Sequence, residues 1–130
     1  METLHKQSAV WTGRAMSTLV VLALLIDGAV NLLAPEKIAG EVTSMGFKIT
    51  QSATIGIIIL CSVLVYAVPR TAVLGAILIT GFLGGAICTH YRVGDAVSAP
   101  TMACLALGAL TWGGIYLRDA RLRTLLPLMS

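Results

Sequence analysis

The stretch RTAVLGAILITGFLGGAICTHYR, Arg70 to Arg92, sets 21 residues between two arginines, and among them only His90 titrates near neutral pH. At about 1.5 Å of rise per residue, such a run in helical form covers about 31 Å, the depth of a bilayer's hydrocarbon core. A barrel strand would need only about ten residues and would alternate apolar with polar. In lipid the backbone has no water to bond, and a helix satisfies its own N–H and C=O groups. The stretch therefore predicts a transmembrane helix.

Three further windows of the same length lie around it. Residues 15–35 hold 21 residues with Asp27 as the only ionisable side chain, residues 49–69 hold 21 without charge, and residues 96–117 hold 22 without charge, from Asp95 to Arg118. Ile55 to Leu60 (IGIIIL) is apolar on every face, which again fits a helix rather than a strand. The prediction is an all-α membrane protein, a four-transmembrane-helix bundle with spans near 17–34, 50–68, 71–90 and 99–117. Residues 1–16 form a short segment ahead of the 17–117 bundle, and residues 118–130 form a basic tail. Composition agrees: of 130 residues 57% are hydrophobic and 12% charged, with mean hydropathy +0.90. A soluble domain carries about a quarter charged residues, and a disordered chain cannot hold this much apolar surface in water. Three cysteines are too few, and odd in number, for a disulfide-stapled fold.

The connections are short. Pro69 stops the second helix, and Thr71 is placed to cap the third. Between Pro35 and Lys48 a surface helix is expected, starting at Pro35, with Ile38, Val42 and Met45 on one face and Gly46 as its stop. Gly94 and Pro100 break the last link. A cleaved leader is disfavoured, since Asp27 interrupts its core and Pro35 would begin the mature chain. With four spans, Lys6, Arg14, Arg70, Arg118, Arg121 and Arg123 share one side and Lys37, Lys48 and Arg92 the other. Six against three predicts cytoplasmic termini and a multi-pass protein of the cytoplasmic (inner) membrane. The net charge of +3 is read as this bias plus attraction to anionic lipid, with no motif for nucleic acid. Trp11, Tyr66 and Tyr116 are expected at the inner interface, Phe47 and Tyr91 at the outer one.

Asp27 is the chemical anomaly. A carboxylate inside a span costs at least about 2.5 kcal/mol, so it should face the bundle interior, protonated or paired. Asn31 follows at i+4 on the same face. The first and third helices run in one direction, which puts Asn31 and His90 at similar depth and Asp27 about 6 Å deeper. Asp27, Asn31, His90 and Arg92 are therefore the candidate ligand-binding cluster, with Asp27 and His90 the candidate catalytic groups. A purely structural alternative is an Asp27–Asn31 pair that locks two helices. Helix packing is assigned to Gly81, Gly85 and Thr89 on the third helix, and to Ala109 and Gly113 on the fourth. These stripes serve either the chain itself or a homo-oligomer. Cys61, Cys88 and Cys104 fall one per helix with no CxxC, and read as inert apolar residues. With His90 the one intramembrane histidine, no bis-His haem and no metal site is expected.

The run PRTAVLGAILITGFLGGAICTHYRVGD, from Pro69 to Asp95, resembles the signature of the DoxX-like family of small four-helix membrane proteins. So do DGAVNLLAPE, Asp27 to Glu36, and WGGIYLRDARLRTLLPL, Trp112 to Leu128. The resemblance implies a four-helix bundle and a link to membrane redox or sulfur metabolism, since the family is named after subunits of a thiosulfate:quinone oxidoreductase. Two positions depart from the family's common pattern: Asn31 stands where relatives often carry Lys, and Ile59 where many carry Glu.

Three functions are open. The first is a membrane subunit or accessory factor of a quinone- or sulfur-linked redox system, with quinone the implied ligand and a membrane or soluble redox protein the implied partner besides the bilayer. The second is a structural or interaction protein without catalysis. The third is a small proton-coupled transporter using Asp27, against which 5% aromatics leave little to stack flat cations. No catalytic motif fixes a reaction.

Overall fold

The computed structural model describes residues 2–94 and 98–125, so Asp95, which bounds the fourth window, and the end of the tail lie outside the described residues. Each apolar window is a helix: α1 (Glu2–Leu33), α3 (Ile49–Ala67), α4 (Ala72–Arg92) and α5 (Ala99–Arg118). Short helices α2 (Ala39–Ser44) and α6 (Ala120–Leu125) accompany them, and no strand occurs among the described residues. All four long helices, the third counted from Pro69, have the length and hydropathy of membrane spans. Only 22–33% of each apolar window is buried within the protein, and leucines and isoleucines such as Leu22, Ile26, Ile57, Leu64, Leu74 and Leu105 face outward. Apolar surface on that scale is stable only against lipid.

α1 is continuous from Glu2, so the segment ahead of the first window belongs to the same helix. Its 32 residues run about 48 Å, longer than the hydrocarbon core, and Arg14 stacks over Trp11 at 5.3 Å where the apolar window begins. Pro35 opens a 3-10 turn at 35–38 that leads into α2, whose Val42 is buried. Gly46, at φ +88°, and Gly94, at φ +104°, turn the chain after α2 and α4 in a conformation that other residues adopt at a cost. Val68 is extended before Pro69, which ends α3. Thr71 does not cap α4: its hydroxyl donates back to the Val65 carbonyl at 2.7 Å and closes the end of α3 instead. Pro100 sits in the first turn of α5, where a missing N–H costs nothing, and the Ser98 side chain accepts from the Thr101 N–H.

Around the bundle the order is α1, α3, α4, α5, with α1 and α4 on a diagonal. Small residues set the crossings. A Cβ on Gly56 of α3 would stand 2.9 Å from the Gly28 carbonyl of α1, and one on Gly13 of α1 2.6 Å from the Gly114 carbonyl of α5. A Cβ on Gly75 of α4 would run into the backbone of Tyr66. α4 and α5 meet where the Trp112 indole N–H donates to the Thr80 hydroxyl at 2.7 Å. The stripe expected to pack behaves otherwise. A Cβ on Gly81, Gly84 or Gly85 would meet nothing within 4 Å, and Ala109 is exposed. Gly113 touches only the tip of Met16, whereas its neighbour Gly114 makes the close approach to α1. A stripe of small residues allows close contact but does not say which helix fills it.

Tyr66 is the second departure. Instead of lying at an interface it is fully buried, in a core with Val20, Leu24, Ile59, Val63, Ile79 and Ile115. Its hydroxyl donates to the Thr111 carbonyl at 2.9 Å and lies 2.9 Å from Ser17 Oγ. With its one hydrogen given to a carbonyl, Tyr66 must accept from Ser17. Trp11 and Tyr91 do lie exposed, at 63% and 68%.

Candidate functional site

The core fills the half of the bundle nearer Tyr66. Toward the other end the helices part around a cavity of about 800 Å³, walled by α1, α3, α4 and α5, with α2 and its flanks adding Ile38, Val42, Met45 and Phe47. The wall is mostly apolar, with Ile55, Ile58, Ile77, Leu78 and Leu107 among its members. Gly81 and Gly85 bring bare α4 backbone to the same wall, which is why no helix packs on them.

Into this apolar space project Asp27 and Asn31 from α1, Glu41 from α2, and Thr89 and His90 from α4. The diagonal arrangement of two parallel helices places Asp27 and His90 on facing walls of one chamber. Asn31 is buried, and its amide donates to the Asp27 carbonyl at 2.9 Å and to Asp27 Oδ1 at 3.3 Å. Both bonds stay within α1, so the Asp27–Asn31 pair is not by itself an interhelical lock. The lock is Ser52 of α3, fully buried, whose hydroxyl reaches the Asn31 backbone carbonyl at 2.9 Å and Asn31 Oδ1 at 3.0 Å. Asn31 is thus held on three sides and presents a fixed amide beside Asp27. The Asp27 carboxylate has no other side-chain partner among the described residues and lies open to the cavity.

Arg92 departs from the expected cluster. It does not line the cavity; its guanidinium donates to the Met45 carbonyl at 3.0 Å and straps the end of α4 to the end of α2. Its effect on the site is to hold α2, and with it Glu41, over the chamber.

Glu41 and Ser52 were missed from sequence. Glu41 follows Ile38 by three residues and so shares the face of Ile38, Val42 and Met45, a position its charge obscured. Ser52-xxx-Gly56 is a small-residue pair on α3, the same kind of signal that drew attention to α4. No group of three or more His, Cys, Asp or Glu residues able to hold a metal ion occurs among the described residues. The three cysteines are free, with Cys104 at the cavity wall and Cys61 and Cys88 exposed.

What the chamber offers is an apolar volume large enough for a ring and part of a chain, with an acid, an amide, a second acid and an imidazole at its polar positions. No curated protein and no solved structure matches the chain. The family model of the DoxX-like family matches residues 15–114, which run from the start of the first apolar window to Gly114 of α5 and take in the whole cavity wall. With four membrane-length apolar helices and that match over most of its length, the chain belongs to the DoxX-like family of membrane proteins.

Proposed function

We propose that this protein is the membrane-embedded subunit or accessory factor of a redox system and binds a lipophilic carrier of the quinone type in the cavity between its spans. The observation that carries the reading is the chamber itself: about 800 Å³ of mostly apolar-walled space lined also by Asp27, Asn31, Glu41 and His90. The donor set fits such a ligand. The His90 imidazole and the Asp27 carboxyl, when protonated and oriented by Asn31, suit the two carbonyl oxygens of a ring, and Ile55, Ile58 and Leu78 suit an isoprenoid tail. A bound quinone would supply two-electron chemistry; the chain's residues bind and orient the ring, and Asp27 holds or releases a proton beside it. Arg92 acts as a positioning residue through its bond to Met45. The protein sits in the cytoplasmic membrane with both ends inside, as the Lys/Arg bias indicates, and a second redox protein receives or delivers the electrons.

A purely structural role for Asp27 is weakened by one particular. The interhelical bond belongs to Asn31 and Ser52, so Asp27 is not needed to make it. The test is titration of the protein in nanodiscs with decylubiquinone, read by calorimetry. Micromolar binding is expected, weakened about tenfold in Asp27→Asn and in His90→Ala, the loss of one polar contact. Cys61→Ser, outside the cavity, should leave it unchanged. Absence of binding, or equal binding by all four proteins, would reject the assignment.

A further inference from the structure

At the opposite end of the bundle from the cavity, a second pocket of about 290 Å³ gathers Arg14 from α1, Arg118 from the end of α5 and Arg121 from α6. One acid, Asp119, shares the pocket, so its lining carries a formal excess of two positive charges. Asp119 is already committed: Arg121 donates to it from its backbone N–H at 2.9 Å and from its guanidinium at 3.3 Å. That hydrogen bonding, with Arg118 nearby, holds the Asp119 carboxyl below its ordinary range. Arg14 and Arg118 have no carboxylate partner among the described residues. Arg118 lies 5.8 Å over the Tyr66 ring, and its Nε is buried with no acceptor among them.

Asp119 neutralises Arg121, which leaves Arg14 and Arg118, from two different helices, without a counter-charge, and the buried Arg118 N–H has given up water for nothing in return. Guanidinium forks match the oxygens of a phosphate. The remaining walls, Val10, Pro69, Ala72 and Ile115, are apolar. Arg14 precedes the first apolar window and Arg118 ends the fourth, so the pocket sits where headgroups meet the hydrocarbon. We propose that Arg14, Arg118 and Arg121 form a binding site for an anionic phosphate group, that of an acidic phospholipid headgroup or of a soluble phosphate, distinct from the chamber at the other end.

The test measures thermal unfolding of the purified protein in a neutral detergent, titrated separately with phosphatidylglycerol, phosphatidylcholine and inorganic phosphate. Phosphatidylglycerol is expected to raise Tm saturably and phosphatidylcholine to do little. Arg14→Gln and Arg118→Gln should each weaken the apparent affinity about tenfold, whereas Arg123→Gln, outside the pocket, should not. If inorganic phosphate reproduces the shift with the same dependence on Arg14 and Arg118, the site is supported and its ligand is the soluble ion. Should Arg118→Gln fail to fold, Arg14→Gln and Arg118→Lys carry the comparison, the lysine keeping charge but losing the fork. Equal stabilisation by the two lipids with no response to phosphate, or equal losses in the Arg14 and Arg123 variants, overturns the proposal.

Discussion

The Tyr66 hydroxyl joins three helices, accepting from Ser17 on α1 and donating to the Thr111 carbonyl on α5. Removing it deprives the buried Ser17 hydroxyl of its acceptor and the Thr111 carbonyl of its second bond, so Tyr66→Phe should cost about 1–2 kcal/mol, seen as a lower Tm in detergent with the helical content unchanged. A Tm equal to that of the parent would mean that Ser17 finds another acceptor. Sequence placed this tyrosine at an interface because aromatic residues near span ends commonly lie there. What it lacked was the neighbourhood, since Gly75 on α4 admits the Tyr66 backbone and Arg118 covers its ring. Asp27 and Asn31, by contrast, were legible at once, because a charged group inside an apolar window stands out whatever surrounds it. Ser52, uncharged and unexceptional in composition, did not.

Between elements, the glycines separate into those that bear a crossing and those that do not. A Cβ at Gly75 overlaps the Tyr66 backbone, whereas one at Gly84 meets open space. Gly75→Ala should therefore lose about 1–3 kcal/mol as α3 and α4 are pushed apart. Gly84→Ala should be neutral or gain up to about 1 kcal/mol from helix propensity. Thermal unfolding of the two variants side by side checks this, and an inverted order would contradict the packing. Besides its buried Val42, the short α2 is tied by one long-range hydrogen bond among the described residues, from Arg92 to the Met45 carbonyl. In Arg92→Ala, amide hydrogens of residues 39–45 should exchange faster while those of α3 and α5 keep their rates. The face of α2 was readable from Ile38, Val42 and Met45. Its strap was not, because an arginine at a span end looks the same whether it meets a headgroup or a carbonyl.

For the molecule as a whole, the order of spans was legible because hydropathy is a property of the chain taken one window at a time: Lys48, Arg70 and Arg118 bound the apolar runs in the sequence much as they bound the helices in space, whereas Arg14 marks the start of the first apolar run inside a longer α1. Which half would be solid and which hollow was not, since that depends on side chains from four helices meeting at one depth. Val20, Ile59, Ile79 and Ile115 close one half, and Gly81 and Gly85 leave the other open. That asymmetry has a practical use. Along Gly81 and Gly85 the chamber is bordered by main chain with room beyond it, so a bulky side chain introduced there takes up ligand space and displaces no neighbouring helix. Gly85→Phe should consequently fold and insert like the parent and yet crowd out a ring-sized occupant, giving a partly plugged but intact protein. In cells it would tell apart a phenotype that needs the hollow from one that needs only the bundle's presence.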